Sequence, residues 1–151
     1  MAALKDRLET DLVTAMKARD QLTTATIRMV LAAIRTEEVA GKAARQLSEP
    51  EVVAVVGREA KKRREAAEAF DAAGRGELAE RERAEERVLD DYLPAQLTDS
   101  ELAELVRAAV SEAGASEPRQ MGQVMKVLQP RVAGRAEGGR VAAEVRRQLA
   151  G

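Results

Sequence analysis

Six of the seven cations in the last part of the chain, Arg119, Lys126, Arg131, Arg135, Arg140 and Arg147, stand around a segment that also holds Gly134, Gly138 and Gly139. Guanidinium and ammonium groups grip phosphate through charge-assisted hydrogen bonds, and glycines let backbone come close to a ligand. From Ala115 to Gly151 there are seven cations against three acids, a net of +4, although the whole chain carries −1. At about 100° per residue, Arg119 and Lys126 share one helix face, Arg140 and Arg147 share another, and Arg131 and Arg135 flank the loop between. The free amides at the start of the last helix add donors for an anion. These residues are the candidate RNA-binding set, with the three glycines as points of backbone approach to phosphate. The competing reading, in which the glycines only make a turn and the arginines keep the surface soluble, is equally open on sequence alone.

A second basic run spans Arg58 to Glu65. Within it Glu59 can pair with Arg63, Lys61 with Glu65 and Arg64 with Glu68 at i,i+4. Arg58 and Lys62 lack such an acid, so they are the cations of this run whose charge is least offset, and they join the candidate set. If RNA is the partner, recognition cannot rest on base stacking, because Phe70 and Tyr92 are the only aromatics. Phosphates, 2′-hydroxyls and duplex shape remain, which suits a folded tRNA better than a single strand.

Catalytic signals are absent. With no Cys and no His, disulfides, thiolate nucleophiles, His-ligated metals and the commonest general base are excluded. Ser48, Ser100 and Ser116 stand where helices begin and read as caps. The carboxylate pairs Asp90-Asp91 and Glu85-Glu86 read as solvated helix surface in so acidic a chain. No catalytic residue, metal-ligand set or cofactor motif is identified.

The elements that must position these groups are helices. Ala, Glu, Arg, Lys and Leu dominate the composition, and no alternating β-branched pattern competes, so the predicted fold class is all-α. Leu4, Leu8, Leu12 and Met16 mark one helix and Ile27, Val30, Leu31 and Ile34 another, a hairpin turning near Arg19-Asp20. Ser48-Glu-Pro-Glu51 opens a long helix carrying Val52, Val53, Val56, Ala60, Ala67 and Phe70, which Gly74-Arg-Gly76 ends. Leu78, Val88, Leu89 and Tyr92 mark a fourth, whose charged middle, Glu80 to Arg87, predicts weak packing and partial exposure. Thr98-Asp-Ser-Glu101 and Gly114 bound a fifth. Ser116-Glu-Pro118 starts the next, with Met121, Val124, Met125 and Leu128 on its apolar face and Pro130 as its end, and Val141, Val145 and Leu149 line the last. Tyr92-Leu-Pro-Ala-Gln-Leu97 reads as a linker, dividing an N-terminal helical domain, 1–94, from a compact three-helix domain, 95–151.

Ile27-Arg28-Met29, the run Arg58 to Glu65, Tyr92 to Leu97 and above all Met121-Gly122-x-Val124-Met125-x-x-Leu128-x-Pro130-x-Val132-x-Gly134-Arg135-Ala136, followed by Gly138, resemble the GatB/YqeY family over almost the whole chain. Gln120 stands where that pattern has an acid and Glu137 where it has Asp, so no role needing a carboxylate at position 120 carries over. The resemblance implies a stand-alone YqeY-like protein, similar to the tail of the B subunit of the tRNA amidotransferase, a region associated with holding tRNA while the chemistry sits elsewhere.

Three functions are therefore in view. The first is a non-catalytic accessory protein that binds tRNA or a tRNA-processing complex through its basic C-terminal surface. The second, which the resemblance alone implies, is a part in carbon–nitrogen ligase activity with glutamine as amido donor. The third is a protein–protein interaction module in which the N-terminal hairpin and the long third helix dock another helical protein. The N-terminus lacks the apolar core of a signal peptide and the longest apolar runs are too short to span a bilayer, so a cytoplasmic setting without membrane contact is expected.

Overall fold

A computed structural model describes residues 2–151. Among the described residues, seven α-helices account for the regular structure: α1 (Ala3–Lys17), α2 (Gln21–Glu38), α3 (Glu49–Ala72), α4 (Gly76–Asp90), α5 (Asp99–Ala113), α6 (Met121–Val132) and α7 (Gly138–Ala150), with one 3₁₀ turn at Pro118–Gln120. Among the described residues there is no strand, and no helix is long and apolar enough to cross a membrane. The chain divides into two compact units, the first ending at Leu93 and the second running Pro94–Gly151.

In the first unit, α1 and α2 turn at Asp20, whose carboxylate caps α2 by accepting from Thr23 N at 3.1 Å. Leu4 and Leu8 of α1, Ile27, Val30 and Ile34 of α2, Val52, Val55, Val56 and Ala60 of α3 and Leu89 of α4 form one aliphatic core. Burying each large side chain there contributes about 1.5–3 kcal/mol. The four-residue repeat of α1 drifts off the core at its end, because 3.6 residues make a turn: Ala15 is buried and Met16 is 49 % exposed.

The middle of α4 is partly exposed, at Glu80, Arg81 and Arg87, but the expectation of weak packing there is wrong. Helices α3 and α4 make the most extensive packing in the molecule, and their charges are the reason. Arg63 is buried, with its guanidinium 2.9 Å from the Glu59 carboxylate and 3.5 Å from that of Glu85, both also buried. Arg64 meets Glu86 at 3.0 Å and Arg83 meets Asp71, so three ion pairs bridge the two helices beside the small Ala67 and Ala79. Arg63 Nη2 also rests 3.2 Å from the sulfur of Met29 on α2. A charged sequence thus packs well when opposite charges face across the seam; among the buried side-chain nitrogens and oxygens of the described residues, Arg63 Nε alone has no hydrogen-bond acceptor.

The second unit is built by a stripe from each helix: Leu102, Val106 and Ala109, then Val124, Leu128 and Val132, then Val141, Val145 and Leu149, closed by Leu97. Helix α5 begins at a capping box between Thr98 and Glu101 and ends at Gly114, whose φ of 63° is the left-handed conformation that glycine adopts without a Cβ penalty. Pro130 does not end α6, which continues to Val132. So close to the C-terminus, the missing N–H of Pro130 removes one hydrogen bond from the last turn and leaves the rest of the ladder intact.

Candidate nucleic-acid interface

The approach to the second unit fixes the loop that carries the candidate glycines. Leu97 N donates to Arg135 O at 2.8 Å, and Gln96 Nε2 donates to Gly134 O at 2.9 Å. Gly134, at φ 73°, therefore makes a turn whose carbonyl is already engaged. Gly138 and Gly139 differ: they are exposed at the first turn of α7, and a Cβ on either would meet open space. Nothing in the packing requires glycine there, and the N-cap residue Glu137 makes no side-chain cap hydrogen bond to the first turn of α7.

The six tail cations take different roles. Arg119 stands in the 3₁₀ turn before α6 and Arg131 in the last turn of that helix, roughly 18 Å apart at 1.5 Å per residue. Two act as ties within the unit: Arg131 pairs with Glu112 of α5 at 2.6 Å, and Arg140 Nη2 donates to Asp99 at 2.9 Å and to Leu97 O at 3.1 Å. Two make local surface pairs, Arg119 with Glu117 and Arg147 with Glu144, both at 2.5 Å. Hydrogen bonds from Arg147 and then Gln148 hold the Glu144 carboxyl below its ordinary range. Lys126 and Arg135 have no ion pair among the described residues; Arg135 adds only a small lowering to Glu101, whose carboxyl is held down chiefly by the Thr98 backbone amide and hydroxyl. The +4 counted from Ala115 onward thus folds onto the acids of α5, and over Pro94–Gly151 eight cations meet seven acids.

In the first unit the local spacing rule misplaces two candidates. Arg58 pairs with Glu37 of α2, and Lys62 pairs with Glu59 at 3.0 Å through an i,i+3 contact. They are offset by acids that an i,i+4 count does not reach. Ser48 caps α3 as expected, with Glu51 N donating to Oγ. Ser116 does not cap: Gln120 Oε1 accepts from the backbone N of Ser116 and Glu117 at 2.8 and 3.0 Å. An amide oxygen serves at position 120, so no carboxylate is needed there for the turn. Among the described residues no group of three or more acids is placed to hold a metal ion.

A family model described as YqeY-like protein matches residues 5–149, nearly the full chain. The chain belongs to the YqeY-like family. No curated protein matches it significantly. For this YqeY-like chain the motif from Met121 to Gly138 is first of all a folding motif: Val124, Leu128 and Val132 are buried, and Gly134 and Arg135 receive the incoming 96–97 segment.

Two sets of cations escaped the sequence reading. Arg146 is exposed on α7 and has no ion pair among the described residues. Its place at about 140° from Val141 on the helical wheel marks it as outward-facing. Arg28 and Arg35, also exposed, lie on α2 in a stretch almost without acids. The signal for them was the absence of Asp and Glu between Gln21 and Thr36 in a chain where 34 % of residues are charged.

Proposed function

We propose that this YqeY-like chain is a non-catalytic binding protein whose C-terminal three-helix unit contacts the phosphates of a folded RNA, tRNA being the candidate, alone or within a tRNA-processing complex. The observation that carries the reading is the pair Lys126 and Arg146, exposed on α6 and α7 without an ion pair among the described residues. The open first turn of α7 at Gly138 and Gly139 supplies amides suited to a phosphate oxygen. Arg119 and Arg147, 83 % and 68 % exposed, can exchange their carboxylates for phosphate, because exposed ion pairs contribute little and are screened by salt. Arg131 and Arg140 have the different role of holding α6 and α7 to α5. The two compact units are taken as separate domains, with the binding role in the second.

So few contacts predict weak binding that falls steeply with salt. An anisotropy titration of the full chain with total tRNA at low salt tests this. Binding at tens of micromolar, abolished by the triple variant Lys126→Glu/Arg135→Glu/Arg146→Glu, supports the proposal. Absence of binding, or binding that the triple variant leaves unchanged, defeats it. Part in an amidotransferase is the narrower form, and it requires that the chain change amide transfer by the other subunits, since no nucleophile beside a base is evident in the chain.

A further inference from the structure

From Leu12 to Thr36 the chain carries four cations, Lys17, Arg19, Arg28 and Arg35, and a single acid, Asp20. That acid is consumed as the α2 cap, accepting from Thr23 N and from Thr23 Oγ1 at 2.7 Å. The acids that follow are consumed too: Glu37 by Arg58, and Glu38 by Lys5 at 3.0 Å. None of the four cations has an ion pair among the described residues. Among the described residues, the same stretch holds three of the four exposed large apolar side chains, Val13, Met16 and Met29, each about half exposed.

These features adjoin. Arg28 Nη2 lies 3.6 Å from the sulfur of Met16, which brings the outer faces of α1 and α2 together. On α2, taking Ile27 as the inward reference, Arg28 and Arg35 fall near 80–100°, Met29 near 200°, and the small Ala25, Ala32 and Thr36 between them, all at about 100° per residue. The outer face is thus a shallow floor of small side chains with a basic flank on one side and methionine on the other. Methionine is polarizable and adaptable and suits a surface that receives apolar side chains.

We propose that the outer face of the α1–α2 hairpin docks an acidic amphipathic helix of a partner protein. Arg28 and Arg35 are seven residues apart, about 10.5 Å along α2, so carboxylates two turns apart on the partner meet both. The partner's apolar side chains then cover Met16, Val13 and Met29, the helix-in-groove mode of recognition. A nucleic acid is the poorer match, because the exposed Val13, Met16 and Met29 of this face offer nothing to a phosphate. A lipid surface is poorer as well, since no exposed Trp, Phe or Leu is available to insert.

The test uses the full chain and a synthetic peptide of about 20 residues, with Leu on one face and Glu at seven-residue spacing beside it, followed by amide NMR shifts and anisotropy. The expected result is shifts confined to residues 12–36, binding that weakens between roughly 50 and 200 mM salt, and an affinity loss of about tenfold or more in Arg28→Glu/Arg35→Glu. The same variant is expected to gain affinity for the peptide with Lys in place of Glu. Both arginines are exposed, so thermal unfolding checks that the variant is intact, and Arg28→Gln/Arg35→Gln gives a milder second version. Failure to bind, equal binding of a scrambled or Lys peptide, or an undiminished affinity in both variants overturns the proposal. So does the appearance of the same shifts with phosphatidylserine vesicles or total tRNA but not with the acidic peptide.

Discussion

Two stretches carry unbalanced positive charge in the sequence, 12–36 in the first unit and 115–151 in the second, and the fold treats them oppositely. In the second, Arg131 and Arg140 reach back to α5 and become part of the scaffold. In the first, Arg28 and Arg35 stay exposed on α2 and make no ion-pair contact among the described residues, Arg35 acting on Glu38 only through space and after Lys5. Net charge over a segment therefore does not locate an open basic surface; what decides is whether the neighbouring helix presents acids. Helix α5 presents Asp99 and Glu112, whereas the acids nearest the end of α2 are engaged by Arg58 and Lys5.

The largest expected effect concerns charge that is tied down completely. Arg63→Ala removes the buried partner shared by Glu59 and Glu85 and leaves them only the surface cations Lys62 and Arg81, and chemical denaturation is expected to show the first unit weakened by about 3 kcal/mol. Replacing the three buried residues together by Leu, Met and Leu is expected to be neutral or stabilising by the same logic, which separates pairing from packing. Next, Arg140→Ala removes the donor to Leu97 O and Asp99 and is expected to cost about 1–2 kcal/mol in the second unit. Arg28→Ala, by contrast, should lie within about 0.5 kcal/mol of the parent. Equal losses at 140 and 28 in urea melts would break the comparison.

A smaller effect is expected at the hairpin turn. Arg19 holds φ 58°, a left-handed conformation that costs a residue with a Cβ. Arg19→Gly should raise the thermal midpoint, with a gain of about 0.5–1 kcal/mol. The smallest is a pH effect. Hydrogen bonds from Arg45 and then from Ser48 lower Glu51 to about 2. A depressed carboxylate stabilises the fold above its ordinary value of 4.5 and loses that contribution as pH falls towards 2. Glu51→Gln should flatten the stability profile across that acid window and leave the profile between pH 6 and 8 (roughly neutral) unchanged.

Much of the fold was legible because it rests on local rules. The capping boxes at Ser48 and Thr98, the glycine at 114 and the stripes Val141, Val145, Leu149 and Ile27, Val30, Ile34 each follow from spacing that a single helix sets for itself. The candidate site was read less well, because ion pairing is decided between helices. Arg58 finds Glu37 21 residues away and Arg140 finds Asp99 41 residues away, separations that no i,i+4 count reaches. Burial of Arg63 was illegible for the same reason, since Glu85 arrives from α4. Lys126 lies about 160° from Val124 and Leu128 on the helical wheel, and it is exposed accordingly.

Arginine modification with phenylglyoxal, read residue by residue by mass spectrometry on the native protein, tests the contrast most directly. Arg28, Arg35 and Arg146 are expected to react first, Arg131 and Arg140 more slowly, and Arg63 only as the protein unfolds. Reaction of Arg131 and Arg140 as fast as Arg28, or protection of Arg28 and Arg35 in the isolated chain, would contradict the account.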